Sequence, residues 1–197
     1  SATDTAVLCG AKPSICMKRY GANSMKKVAA KEIGIRIILS KMHSIASEIG
    51  KGIQPLLCYS EGHHLRVFVK LTKKSNVELK WINTDMEIVE EEEDGAGGPL
   101  WVDKIIEKEL VPSNYEGKLG KFFETLSEEA NGPPGLYDVN DIARIAEIGQ
   151  TPQRNKIIKC LKELGHFASS SIFSPLGIKT TASKIERTKA IKLAQSL

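Results

Sequence analysis

The chain has 197 residues, 28 of them Lys or Arg and 24 Asp or Glu, for a net charge of +4; 41% are hydrophobic and 6% aromatic. That balance excludes a disordered polymer and predicts a core of Ile, Leu, Val and Ala, in one domain plus part of another. No apolar run approaches the roughly 20 residues that a membrane-crossing helix needs, so a soluble, cytoplasmic chain with no membrane partner is expected.

In chain order, apolar residues at Ile35, Ile38, Leu39, Met42, Ile45, Ala46 and Ile49 predict a helix over 28–49, with Lys31, Glu32, Arg36, Lys41 and Glu48 largely off its stripe. Gly50-Lys51-Gly52 stops it. Ile53 to Tyr59 and Leu65 to Leu71 then read as a β-hairpin, and the imperfect alternation of the second strand predicts cover on both its faces. Five acids, Glu90 to Asp94, followed by Gly95-Ala96-Gly97-Gly98-Pro99, read as a flexible linker or loop. Leu100 to Leu110 and Leu119 to Ala130 read as shorter helices.

Asp138 is placed to cap a helix over 139–148. Thr151 and Pro152 are placed to open a second one running to Leu164, with Gly165 ending it in the left-handed conformation. This spacing is that of a helix-turn-helix. His166 to Ser169 and Ile178 to Thr180 read as strands of a wing around Ser174-Pro175-Leu176-Gly177, and 183–194 as a basic helix.

Charge is segregated along the chain. Residues 1–80 hold 14 basic against 5 acidic side chains, 81–150 hold 5 against 17, and 151–197 hold 9 against 2. Two basic blocks flanking an acidic one suit a polyanionic ligand, although plain solvated faces would look the same. Lys12, Lys18, Arg19, Lys26, Lys27 and Lys31, interleaved with Tyr20, form a candidate phosphate track, and Arg154, Lys156, Lys159 and Lys162 line the second helix of the helix-turn-helix. Cys9, Cys16, Cys58 and Cys160 show no CxxC spacing, and His63 and His64 are adjacent. Reduced thiols and no metal site are therefore expected. Neither a GxGxxG turn, a phosphate loop nor a GxSxG elbow is present. The first residue is Ser1, which reads as a truncated, cleaved or split protein.

Two signatures carry a family resemblance: Thr3-Asp4-Thr5-Ala6-Val7-Leu8-Cys9-Gly10, and Phe173-Ser174-Pro175-Leu176-Gly177-Ile178-Lys179-Thr180. Between them lie Pro13, Cys16 and Tyr20, then Glu32, Gly34 and Arg36, then Arg66, Phe68, Val69 and Lys70. Gly98-Pro99-Leu100-Trp101, Tyr137-Asp138, Leu161 and Gly165 complete the set. In this order they resemble the end of the catalytic domain and the C-terminal domain of archaeal and eukaryotic tRNA (guanine-26-N2)-dimethyltransferases. The resemblance implies transfer of methyl groups from S-adenosylmethionine to N2 of guanosine 26 in tRNA, on a base drawn out of the stack.

In that family the S-adenosylmethionine pocket and an Asp-Pro-Phe segment that receives the base lie upstream. The resemblance therefore implies that this chain holds no cofactor-binding residue and that its catalytic residues are unknown. Thr3, Asp4 and Thr5 would follow the fifth strand, beside the target base, with Asp4 either meeting a guanine edge or simply capping and bracing the loop. Lys12, Lys18, Arg19, Arg66, Lys70, Arg154, Lys156, Lys159 and Lys179 are the candidate RNA contacts. Where relatives often carry Arg-Thr-His this chain has Ser170-Ser171-Ile172, and where some carry a cysteine-rich zinc element it has Glu90 to Asp94.

The expected fold is α/β: the end of a class I (Rossmann-like) methyltransferase sheet over 1–80, an acidic linker and helical connection over 81–135, and an α+β C-terminal domain with a winged-helix-like, tRNA-binding unit over 136–197. Its expected partners are tRNA and the N-terminal catalytic part of the same enzyme, whether in one protein or in a separate chain, and alone it should transfer nothing. A helix-turn-helix DNA-binding regulator is the alternative from another class. Enclosure of Ile53 to Leu71 in a complete fold with no room for further strands would defeat the first reading.

Overall fold

In the computed structural model, which describes residues 1–73 and 77–196, the chain is organised around α3 (Ala30–Glu48). The expected one-sided stripe is corrected: Ile33, Ile35, Ile37 and Leu39 are fully buried, Glu32 and Arg36 are buried beside them, while Ile45 and Ile49 are 51% and 69% exposed. A helix apolar on several sides is covered on several sides, and a single-stripe reading cannot show this. Two short helices, α1 (Thr5–Leu8) and α2 (Pro13–Tyr20), precede it. A Cβ added at Gly34 would lie 2.9 Å from the Leu65 side chain and 3.3 Å from Leu8, so glycine permits the close approach of α1 and the hairpin to α3.

The hairpin forms as expected, with β1 (Lys51–Glu61) antiparallel to β2 (His64–Lys73) and a register shift between Pro55 and Leu57. Ile53, Cys58 and Leu65 are buried, and the sheet packs on α3. Cover on both faces is not found. Phe68 is 51% and Leu71 63% exposed, and the described residues place only two strands in this sheet. Along the outer edge of β2 one isolated bridge forms: Ala2 N–H donates to Leu65 O at 2.8 Å, and Leu65 N–H to Ala2 O at 2.9 Å. By the two-residue period of a strand, Val67, Val69 and Leu71 present their backbone groups to the same edge.

The stretch read as linker and helix is different in detail. β3 (Lys80–Ile82), β4 (Ile88–Val89) and β5 (Gly97–Leu100) form an antiparallel sheet in the order β4-β3-β5, which leaves Glu90 to Asp94 in the loop. Residues after Leu100 are extended except for a 3-10 turn at Lys108–Leu110. The physical reason lies with Arg36, whose Nη1 donates to Trp101 O at 2.7 Å and Asp103 O at 3.0 Å. Carbonyls held this way are not available to a helical ladder. Ile82, Leu100, Trp101, Ile105, Ile106 and Leu126 belong to the same core as Val7 and Ile33, so this segment is packed in.

The last part runs α4 (Gly117–Glu129), β6 (Tyr137–Asp138), α5 (Val139–Ile145), α6 (Arg154–Glu163), β7 (Ala168–Ser171), β8 (Ser174–Thr180) and α7 (Lys184–Gln195). Its antiparallel sheet has the order β6-β8-β7. Asp138 caps α5 by accepting from Asn140 N–H, and Ser183 with Glu186 makes a capping box on α7. α6 begins at Arg154 with Gln153 as its cap, later than Thr151-Pro152 suggested. Ser174 to Gly177 opens β8 rather than looping out, and the turn falls at Ile172-Phe173. A second apolar cluster, from Val139 to Ala194, fills this part.

A charged network joins the two ends of the chain. Glu32 accepts from Arg36 Nε at 2.9 Å, Lys179 Nζ at 2.8 Å and Gly135 N–H at 3.0 Å, while Lys179 also donates to Pro133 O and Gly135 O. Burial alone would raise the Glu32 carboxyl, but the Lys179 ammonium and Arg36 guanidinium bring it below the usual carboxylate range. Nearby, Glu129 is 2% exposed; its Oε1 accepts from Ile172 N–H, its Oε2 has no partner, and desolvation pushes its pKa up to about 7.

Lys179→Met leaves Glu32 buried with one cation fewer and should cost about 3–5 kcal/mol of stability, measured by denaturant unfolding. Glu129 has the opposite sign of effect from a salt-bridged acid. Its folded pKa lies above its unfolded one, so its contribution is complete below the unfolded value and lost as pH rises through about 7. Glu129→Gln should therefore raise the melting temperature at pH 8 and change it little at pH 5, as followed by circular dichroism.

Candidate nucleic-acid interface

Asp4 is the N-cap residue of α1, yet its side chain makes no cap bond. Its backbone carbonyl accepts from Val7 and Leu8 N–H, and the carboxylate instead receives Arg19 Nη1 at 2.5 Å from the last turn of α2. Thr3 is exposed and Thr5 half-buried, so the three residues proposed for a target base share one short surface segment. Lys12 and Lys18 are exposed on α2 and its approach, next to Arg19. Below them Cys9 and Cys16 have thiols pushed up chiefly by burial, which makes them poor nucleophiles.

On β2, Arg66, Phe68 and Lys70 alternate onto one face, away from the buried Leu65. The Phe68 ring stacks on Tyr59, 6.3 Å between centroids, and Arg66 Nε lies 3.7 Å from Glu61. In the last third, Arg154 Nη1 donates to Pro175 O at 2.7 Å, which ties α6 to the start of β8. Lys159 is exposed near Glu163, and Lys156 is half-buried beside Lys192 and Gln195 of α7. The structure thus gathers the candidates into three surface groups: α1 with α2, the outer hairpin face, and α6.

Lys179 is a correction. It is 2% exposed, and its ammonium is directed to Glu32 and two carbonyls, so it is a core cation and offers nothing to a phosphate. The departure at Ser170-Ser171-Ile172 is also turned inward: Ser171 is buried and Ile172 N–H is bound to Glu129. Sequence reading missed this network, for which the only signal was the i, i+4 spacing of Glu32 and Arg36. It also missed Arg187, whose guanidinium carbon sits 3.6 Å over the Tyr137 ring. No motif announces either.

A donor pocket of the S-adenosylmethionine type needs a glycine-rich turn leading from a strand into a helix of a parallel sheet. Every strand pair among the described residues is antiparallel, and the positive-φ glycines lie elsewhere, at helix ends such as Gly21 and Gly165 or in the hairpin turn at Gly62. The described residues do not fit that cofactor.

The family model for N2,N2-dimethylguanosine tRNA methyltransferase matches residues 1–91 and 85–192. The tRNA (guanine(26)-N(2))-dimethyltransferase of Thermococcus kodakarensis is 32% identical over 204 residues, covering 92% of this chain and 54% of that protein. The enzyme of the same description from Methanobrevibacter smithii is 29% identical over 100% of this chain and 59% of its own length. Among solved structures, Trm1 from Pyrococcus horikoshii in complex with S-adenosyl-L-methionine superposes with a TM-score of 0.84 at 28% identity, over 96% of this chain and 57% of that one. The chain spans about half the length of the curated relatives it matches. It belongs to the N2,N2-dimethylguanosine tRNA methyltransferase family.

Proposed function

We propose that this chain is the tRNA-gripping C-terminal part of a cytoplasmic tRNA (guanine-26-N2)-dimethyltransferase, and that methyl transfer requires the donor-binding part of that enzyme, in the same protein or in a separate chain. The observation that carries the reading is the outer edge of β2, which among the described residues keeps one bridge to Ala2 and exposes Phe68 on one face and Leu71 on the other. Unpaired strand groups with apolar residues on both sides suit an added strand flanked by further layers. Family membership supports the donor-binding part of the same enzyme as what covers this edge. In this reading 1–80 ends the catalytic sheet, 81–135 connects, and 136–197 is the winged-helix-like unit. Its support is the sheet order β6-β8-β7 with α5 and α6 between β6 and β7.

On the RNA side, Lys12, Lys18, Arg19, Arg66, Lys70, Arg154, Lys156 and Lys159 are taken as backbone contacts, and Thr3, Asp4 and Thr5 as the approach to the target base. Asp4 favours that role over capping because its carboxylate is held by Arg19 and not by the helix. No described helix is long and apolar enough to cross a membrane.

The test is reconstitution. The chain should bind tRNA in preference to double-stranded DNA of equal charge and transfer no methyl group from labelled S-adenosylmethionine. Adding the separately produced upstream half should restore N2-dimethylguanosine in tRNA. Val69→Pro removes an outward donor while leaving the β1 ladder in place, and should weaken the association at least ~10-fold. Methyl transfer by the chain alone, or stronger binding of DNA, would overturn the reading.

A further inference from the structure

Where residues 26–29, the turn at 84–86, β6, α5 and α7 meet, they enclose a cavity of about 250 Å³. Sites that engulf whole small molecules usually have roughly 300–1,000 Å³, so this one suits a single group. Its charge is lopsided. Asp138 is occupied as the cap of α5 and Asp141 pairs with Arg144 at 2.9 Å, which leaves Asp85 as the acid facing the cations. Lys26, Lys27, Lys184 and Arg187 line the cavity with no ion pair among the described residues.

Arg187 is the informative member. It is 8% exposed, donates from Nη1 to Ala182 O at 2.6 Å, and stacks on Tyr137. One carbonyl and one ring face only partly offset the desolvation of a permanent cation, and an anion in the cavity would complete the balance. α3 also starts beside the cavity with Ala29 as its cap and no side-chain acceptor for its first amides.

We propose that this cavity is a phosphate site that takes one phosphodiester of the tRNA backbone and clamps the two apolar clusters of the fold onto the same RNA. The proposal rests on the functional reading above. Its residues come from both sides of the junction, Lys26 and Lys27 from the first cluster's loop and Lys184 and Arg187 from α7, so one phosphate would bridge them. That arrangement distinguishes it from the exposed lysines, each of which lies on one element.

The test uses Lys26→Glu/Lys184→Glu, two exposed positions outside the core, against a control of equal charge change on α4, Lys118→Glu/Lys121→Glu. The cavity variant should lower tRNA affinity at least ~10-fold and reduce the slope of log K against log salt by about 1, as loss of one phosphate contact does, whereas the control changes affinity less than ~3-fold. Arg187→Lys, which keeps the charge but not the planar fork, should weaken binding while the protein still melts cooperatively. Equal losses in cavity variant and control, or none, would overturn the proposal. Inorganic phosphate forms a second arm and should raise the melting temperature of the wild-type chain but not of the cavity variant. If it does so while tRNA affinity is the same for both, the site takes free phosphate and the RNA assignment falls. A wild-type chain that binds no tRNA defeats the functional reading itself, and absence of phosphate protection then defeats the anion site as well.

Discussion

The fold depends on the charge of Glu32 being satisfied in a place that water does not reach. One carboxylate draws Arg36 from its own helix, Lys179 from β8 and the backbone of Gly135 into a single cluster, so residues 147 positions apart meet through one oxygen pair. Buried charges gain little net energy from pairing, but they are severe about position, because any arrangement that separates them leaves a desolvated ion. Arg36 extends the constraint by holding the carbonyls of Trp101 and Asp103, and Lys179 by holding those of Pro133 and Gly135. Three separate stretches of chain, at 101–103, 133–135 and Lys179, are placed relative to α3 by groups that would be costly anywhere else.

The acidic block takes on a more local meaning in this setting. Lys80 Nζ lies 2.7 Å from Glu90, and Asn23 Nδ2 donates to Glu92 at 2.7 Å, so the loop before β5 is pinned to the sheet and to the loop that follows α2. These contacts are exposed and individually weak, but together they fix where the acids sit. The acids therefore lie beside the basic residues that flank Asn23, and segregation of charge along the sequence is only partly kept in space.

Much of the fold could be read from local signals. The hairpin follows from two β-rich runs around Ser60-Glu61-Gly62 and α5 from the cap Asp138, because caps and turns act within a few residues, while 183–194 reads as a basic helix without its Ser183 cap being singled out. The failures are long-range. Trp101, Val102, Ile105 and Ile106 have helical spacing, but Arg36, 65 residues earlier, claims the carbonyl of Trp101. Lys179 sits in a signature that resembles a tRNA-enzyme motif and so looked like an RNA contact, when its partner is an acid on a helix near the other end of the chain. Charge type is visible in sequence, but whether a charge faces solvent or another charge is a tertiary property. The cavity at Tyr137 and Arg187 was hidden for the same reason, since its walls come from four separate stretches of chain.

The open edge of β2 and the closed network under α3 follow from one division of labour. Among the described residues the outer edge of β2 beyond Leu65 carries no further bridge, and His64, Lys70 and Lys73 are exposed along that strand. α3 meanwhile is anchored by Glu32 and Arg36, so the hairpin packed on it has a fixed position. Under the proposed reading an added strand would find a prepared edge, which lowers the entropic cost of association. The same rigidity carries across Lys179 and Gly135 to the sheet of β6, β7 and β8. A strand added at β2 and an RNA bound on α6, both parts of the proposed reading, would thereby stand in one fixed relation.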